Sequence, residues 1–284
     1  MSFGGVIVLF IWIAIASLLF SLIGCACAGA FASLSWLWML PVGFAVSFLL
    51  LLLVAFLFLL YLCSRVDQNV PQEGDDPLYR KVTNLYIQSL IPVLRVHVKL
   101  KGGEKLPAEG RFMLVCNHTS ITDPIMLIYA MPKSQLAFIS KKENSDMFII
   151  GPMMHKLQCQ LINRENDKEA LKTILRCIQI LKEDNASIGV FPEGGINDDL
   201  KFHHFRPGVF KIAQKTKVPI VVCTLKGTKD VLPNLAKLKR SDVLVSVLTV
   251  IPPEEFENVT TVDLANRIHK IMADDLGPDE VAQD

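Results

Sequence analysis

The sequence predicts an α/β fold, a sheet flanked by helices, preceded by an N-terminal transmembrane helical hairpin. Three observations lead there. None of the 29 Lys and Arg or the 28 Asp and Glu residues occurs before Arg65, and the first 64 residues hold two apolar spans, at about 5–24 and 42–63. Each span is near the ~20 residues that cross a hydrocarbon core. From residue 95 onward, short apolar runs alternate with stretches of helical spacing, the order of buried strands and covering helices. Polar clusters follow the apolar runs directly, where the strand ends of an open sheet face a crevice.

Residues 25–41, between the two spans, are rich in Ala, Ser and Gly and close with Trp36, Trp38 and Pro41, and such aromatic residues suit a membrane interface. Arg65, Arg80 and Lys81 follow the second span, while no Lys or Arg precedes the first. The positive-inside rule then predicts an integral membrane protein whose main domain is cytoplasmic, on the cell membrane if the source is bacterial. With two spans the amino terminus is expected on the same side. Leu22-Ile23-Gly24-Cys25 is similar to a lipoprotein cleavage box, but a secretory signal begins with a basic segment, which is missing here.

The net charge of +1 leaves no basic surface that would suggest nucleic acid. Seven scattered Cys in mostly apolar contexts suit reduced core thiols. No Cys-x-x-Cys pair suggests zinc, and no metal site is predicted.

The organisation expected is an anchor over 1–64, a linker with a packing or interfacial helix over 65–94, an α/β domain over 95–276 and a tail over 277–284. Residues 66–76 are polar and carry Pro71 and Gly74, which reads as the link out of the membrane. Residues 84–94 return to apolar spacing. Strict alternation in Arg95-Val96-His97-Val98-Lys99-Leu100-Lys101 predicts a half-exposed strand with His97 toward solvent. Further strands are expected at 112–116, 135–140, 158–162, 187–191 and 241–251. Helices are expected at 125–130, at 145–157 with a break at Pro152, at 169–182 capped by Asp167, and at 261–276. The run 158–162 is read as a core strand.

The stretch with the most chemistry is Asn117-His118-Thr119-Ser120-Ile121-Thr122-Asp123, at the end of the 112–116 strand. Asp123 reads as an N-cap with Pro124 at the first helical position. His118 is a base suited to take a proton from a hydroxyl near neutral pH, and the carboxylate would fix its tautomer. No Gly-x-Ser-x-Gly elbow supplies a protein nucleophile, so the nucleophile would belong to a substrate. A surface His beside a capping Asp fits the same seven residues.

This stretch resembles the first signature block of the glycerolipid acyltransferases, in particular the bacterial-type lysophosphatidic acid acyltransferases. Further blocks follow in the family's order. Leu161-Ile162-Asn163-Arg164 resembles the second and Phe191-Pro192-Glu193-Gly194 the third, with Phe205-Arg206-Pro207-Gly208 similar to the basic element after it. Val218-Pro219-Ile220-Val221 resembles the fourth. The joint order is far more specific than any single block.

The resemblance implies a mixed sheet and a reaction between a lysophospholipid hydroxyl and an acyl-CoA or acyl carrier protein thioester, with no other cofactor and with a lipid bilayer as partner. His118 and Asp123 would be catalytic. Asn117, Lys141, Arg164, Glu193, Gly194, Gly195, Arg206 and Gly208 would bind substrate, with Lys141 and Arg164 near the acceptor phosphate and Glu193 on the glycerol backbone. Where the family continues Glu-Gly-Thr or Glu-Gly-Ser and then Arg, this chain has Gly195, Ile196 and Asn197. Arg206, Lys201 or the Gly195 amide would then serve the head group, or the acceptor is another lysolipid.

Overall fold

A computed structural model of the chain describes residues 8–163 and 166–282. Helices α1 (Val8–Cys27) and α2 (Trp36–Ser64) form an antiparallel pair. Their register is set where small residues allow close approach: Ser21 Oγ donates to Leu40 O at 2.6 Å and Ser47 Oγ to Ser17 O at 3.2 Å. Both are long and apolar enough to cross a membrane, and little of either is buried inside the protein. The connection is shorter than expected, because Trp36, Trp38 and Pro41 all lie within α2. Continuous apolar character outweighs the one hydrogen bond that Pro41 removes.

Helix α3 (Pro77–Val93) begins seven residues before the expected 84, because Asp76 accepts from Leu78 N and Tyr79 N and Pro77 opens the first turn. It joins the hairpin to the sheet. Tyr79 Oη donates to Leu62 O at 2.9 Å, and Arg80 Nη1 donates to Leu136 O at 2.8 Å. Arg80 is buried and paired with Asp75 at 2.7 Å, so of the three cations named after α2 Arg65 and Lys81 remain for the topology argument, Lys81 on α3.

Among the described residues the sheet has seven strands: β1 (Val96–Lys101), β2 (Met113–Val115), β3 (Leu136–Lys141), β4 (Gln160–Ile162), β5 (Ser187–Val190), β6 (Ile220–Lys226) and β7 (Ser241–Ile251). Their order is β1-β7-β6-β2-β5-β3-β4, and only the β6–β7 pair is antiparallel. The sheet is mixed, as the family resemblance implied. Strand β4 forms an edge and is not a core strand, since it pairs with β3 alone and Leu161 is exposed. Its short apolar run did not distinguish an edge from a centre. Strand β1 lies at the other edge, with His97 exposed as its alternation predicts.

Alternate residues of each central strand feed two cores. Met113, Val115, Ile188, Val190, Ile220 and Val222 pack against α6 (Asp167–Lys182), α7 (Lys211–Thr216) and α9 (Thr261–Leu276). On the other face Leu114, Phe138 and Val221 meet Met126 and Leu127 of α4 (Asp123–Ala130) and Ile91 of α3. Helix α6 is capped by Asn166, one residue before the expected Asp167, with its side chain accepting from Lys168 N and Glu169 N. The region 145–157 resolves into a 3-10 turn at Lys142–Asp146 and α5 (Ile150–Lys156), where Pro152 falls in the first turn and breaks nothing. Short α8 (Val231–Ala236) precedes β7. The segment after Gly277 docks: Phe202 N donates to Glu280 O at 2.8 Å, and Lys229 pairs with Glu280 at 2.9 Å.

Candidate active site

The carboxyl ends of the parallel strands β2, β5, β3 and β6 converge on one crevice, and each delivers part of the site. Directly after β2, Asn117 is buried and grips the neighbouring strand end: its Nδ2 donates to Leu225 O at 2.9 Å and its Oδ1 accepts from Leu225 N at 2.7 Å. Both ends of the amide are used within the protein. Asn117, expected to touch substrate, instead fixes the loop that carries His118.

His118 Nδ1 lies 2.8 Å from Asp123 Oδ2. The same oxygen accepts from Thr119 N at 2.8 Å and Ser120 N at 2.9 Å. Asp123 is fully buried at the first position of α4, with Thr122 as N-cap, so it is not itself the expected cap. Its carboxylate turns back to the loop instead. Three N–H donors thus converge on one carboxylate oxygen beside the helix amino terminus. A carboxylate that accepts from Nδ1 leaves Nε2 as the basic nitrogen. Phe191 stacks on the imidazole with ring centroids 4.1 Å apart and planes at 17°, which holds the ring against rotation. Sequence reasoning missed this role, because Phe191 reads only as the last apolar residue of a strand.

Glu193 closes the loop from the other side. Its Oε1 accepts from His118 N at 2.9 Å, and its Oε2 accepts from His203 N at 3.0 Å and Asn197 Nδ2 at 3.2 Å. Only 8% exposed, it ties three loop segments together and is turned away from the glycerol-binding role that the resemblance implied. Burial pushes its carboxyl from 4.5 up to about 7, against the opposing pull of the His203 and His118 amides. Between those values the folded protein holds a proton that the unfolded chain has lost. Stability therefore falls as pH rises through this window, by roughly 3 kcal/mol. Thermal unfolding of the detergent-solubilised chain at several pH values will show that part of the slope in the native protein and not in Glu193→Gln.

His118 lines a cavity of about 650 Å³, within the range that holds an organic ligand. One wall is apolar, with Ile139, Ile162, Leu171 and Ile174, and the cations Lys141, Arg206 and Lys211 also line it. Gly194, Gly195 and Gly208 border the same space. Lys211, at the start of α7, was not singled out from sequence, where no motif marks it. Arg164 lies outside the described residues. Gly194 has φ +88°, and a Cβ there would stand 2.7 Å from Arg206 Nε. Gly194→Ala combines left-handed backbone strain with a displaced guanidinium. It is expected to lower kcat/KM by roughly 10- to 100-fold, read from acyl-transfer kinetics on the folded variant.

The thiol two residues before the imidazole offers no nucleophile. Cys116 is buried, and burial first, then Cys223, Asp123 and Glu193, push its thiol well above the ordinary value. Among the described residues no protein hydroxyl or thiol is hydrogen-bonded to His118 Nε2. A fixed base facing a cavity with one apolar wall and several cations is equipped to activate a hydroxyl on an amphiphilic anion.

Residues 97–226 match the family model described as Acyltransferase. The chain is 31% identical over 187 residues to a 1-acyl-sn-glycerol-3-phosphate acyltransferase of Chlamydomonas reinhardtii, a match covering 65% of this chain and 54% of that protein. It is 27% identical to a probable 1-acyl-sn-glycerol-3-phosphate acyltransferase of Mycoplasma pneumoniae, over 72% of this chain and 78% of the relative. The fold is that of the 1-acyl-sn-glycerophosphate acyltransferase PlsC from Thermotoga maritima, with a TM-score of 0.57 at 20% identity, covering 80% of this chain and 89% of that one.

Proposed function

We propose that the chain is a membrane-bound acyltransferase that moves a fatty acyl group from an acyl thioester to the free hydroxyl of 1-acyl-sn-glycerol-3-phosphate, giving phosphatidic acid for phospholipid synthesis. The observation that carries this reading is the His118–Asp123 pair, 2.8 Å apart, on a cavity lined by both apolar and cationic side chains. The acceptor hydroxyl gives its proton to His118 Nε2 as its oxygen bonds to the thioester carbonyl carbon. Collapse of the tetrahedral intermediate breaks the carbon–sulfur bond, and the imidazolium returns the proton to the departing thiolate. Asp123 stabilises the imidazolium between these steps. No acyl-enzyme is formed.

Lys141, Arg206 and Lys211 would meet the acceptor phosphate, and the apolar wall would take acyl carbons. The donor is acyl-CoA or acyl carrier protein. The hairpin would hold the domain on the cytoplasmic face of the membrane, where lipid acceptor and soluble donor meet. A second reading keeps the chemistry and changes the acceptor to another lysolipid. It is favoured by Gly195, Ile196 and Asn197 standing where a hydroxyl and a guanidinium are expected.

The experiment that tests both uses the full-length protein in vesicles, labelled acyl thioester of each carrier and a panel of lysolipids. Phosphatidic acid as the main product supports the first reading. Preference for a lysolipid with a substituted phosphate supports the second. Fatty acid release to water, with no acylated lipid, contradicts both.

A further inference from the structure

The segment between β3 and α5 changes character along its length. It opens with Lys141, Lys142 and Asn144, of which Lys141 and Asn144 line the cavity. It ends in Met147, Phe148 and Ile150, which are 44%, 71% and 39% exposed. Three apolar side chains within four residues form a patch with no reason to face water. The loop is also built rather than slack. Gly151 N donates to Met147 O at 2.8 Å, and a Cβ at Gly151 would stand 2.0 Å from Ser145 O, so only glycine permits this closure.

The fourth residue, Ile149, turns the other way and packs with the cluster of Leu62, Cys63, Tyr79 and Met153. Cys63 Sγ lies 3.8 Å from Ile149 O, and Gln68 Nε2 donates to Ser145 O at 3.3 Å. The loop is thereby fastened to the last turn of α2 and to the segment that follows it. That helix has 29 residues, a length of roughly 43 Å, which matches the ~40–45 Å of a hydrocarbon core with its headgroup layers. With Trp36 and Trp38 at one interface, its last turn reaches the opposite headgroup layer. The outer face of α2 stays apolar up to that point, since Leu57 and Tyr61 are 52% and 59% exposed.

From this continuity we propose that residues 147–150 form a second bilayer contact, seated in the headgroup layer beside the end of α2. Phe148 inserts between headgroups, and Lys142 faces anionic lipid. Because Lys141 and Asn144 at the other end of the segment line the cavity, this contact holds the cavity mouth at the lipid surface, where a lysolipid can pass in without crossing water. The inference rests on the reading that α1 and α2 enter a bilayer, and it adds a contact made by the α/β domain itself.

The test uses the full-length protein in vesicles of zwitterionic and anionic phospholipid that carry a photoreactive group near the headgroup. Crosslinked peptides are mapped by mass spectrometry. Label on 147–150 together with α2 is the expected result. Label on α2 with none on the loop overturns this proposal and leaves the anchor standing, and label on neither overturns both. In a second arm, Phe148→Asp is expected to raise the apparent KM for vesicle-embedded acceptor roughly tenfold, with turnover unchanged on acceptor dissolved below its micellar concentration. Unaltered KM on vesicles, or an equal loss on dissolved acceptor, contradicts the proposal.

Discussion

His118→Ala is expected to lower kcat for acyl transfer by roughly 100- to 10,000-fold, with KM for donor and acceptor nearly unchanged. On the proposed reading the imidazole contributes only its Nε2 to the transition state, while most of the cavity wall comes from other residues. The fold should survive, because Asp123 keeps its bonds from Thr119 N and Ser120 N, and Asn117 still locks the loop to β6. Circular dichroism of the purified variant checks the fold, and initial rates over a range of both substrates separate kcat from KM. A large rise in KM with kcat preserved would mean that His118 binds substrate and does not move its proton.

Asp123→Asn is expected to cost as much as losing the base, up to roughly 10,000-fold in kcat. An asparagine oxygen in the place of Oδ2 keeps all three donors, His118 Nδ1 among them, and puts the amide nitrogen in the buried position where Oδ1 has no partner. The tautomer is then kept, and what is lost is the negative charge that stabilises the imidazolium in the transition state. Asp123→Ala differs in kind: it strands three donors in a fully buried site, so it loses stability as well as activity. Comparing the two substitutions by thermal unfolding and by rate distinguishes the electrostatic role from a structural one.

Much of the site could be read from the sequence because its chemistry is local. His118 and Asp123 are five residues apart, and a short loop between strand and helix brings them together. Strand β7 and helix α9 fall where β-branched content and helical spacing put them, at Ser241–Ile251 and Thr261–Leu276. What could not be read is what depends on distant partners. The Asn117 clamp on Leu225 joins residues 108 apart in sequence, and the bond from His118 N to Glu193 joins residues 75 apart. From composition alone, a polar residue in a signature block is as ready to bind substrate as to bind backbone. The same limit explains β4, whose edge position follows from pairing order and not from its own residues. It also explains α3, whose early start depends on the Asp76 cap and on docking against Leu62.

The departure after Glu193-Gly194 has a structural counterpart. Arg206, twelve residues downstream, packs so closely over Gly194 that a side chain there would collide with it. A guanidinium therefore lies beside the Glu-Gly turn, although the next residues supply none. With Lys141 and Lys211 it gives the cavity cationic groups drawn from three separate elements.

The central claim is that a lipid hydroxyl, deprotonated by His118, attacks the thioester with no protein-bound acyl intermediate. The most direct measurement is a rapid-quench single turnover of the full-length protein in vesicles with acyl-labelled thioester, run with and without lysophosphatidate. The account predicts label in phosphatidic acid only when acceptor is present, and none retained on the protein without it. Stoichiometric label on the protein in the absence of acceptor, or transfer that proceeds undiminished in His118→Ala, would contradict it.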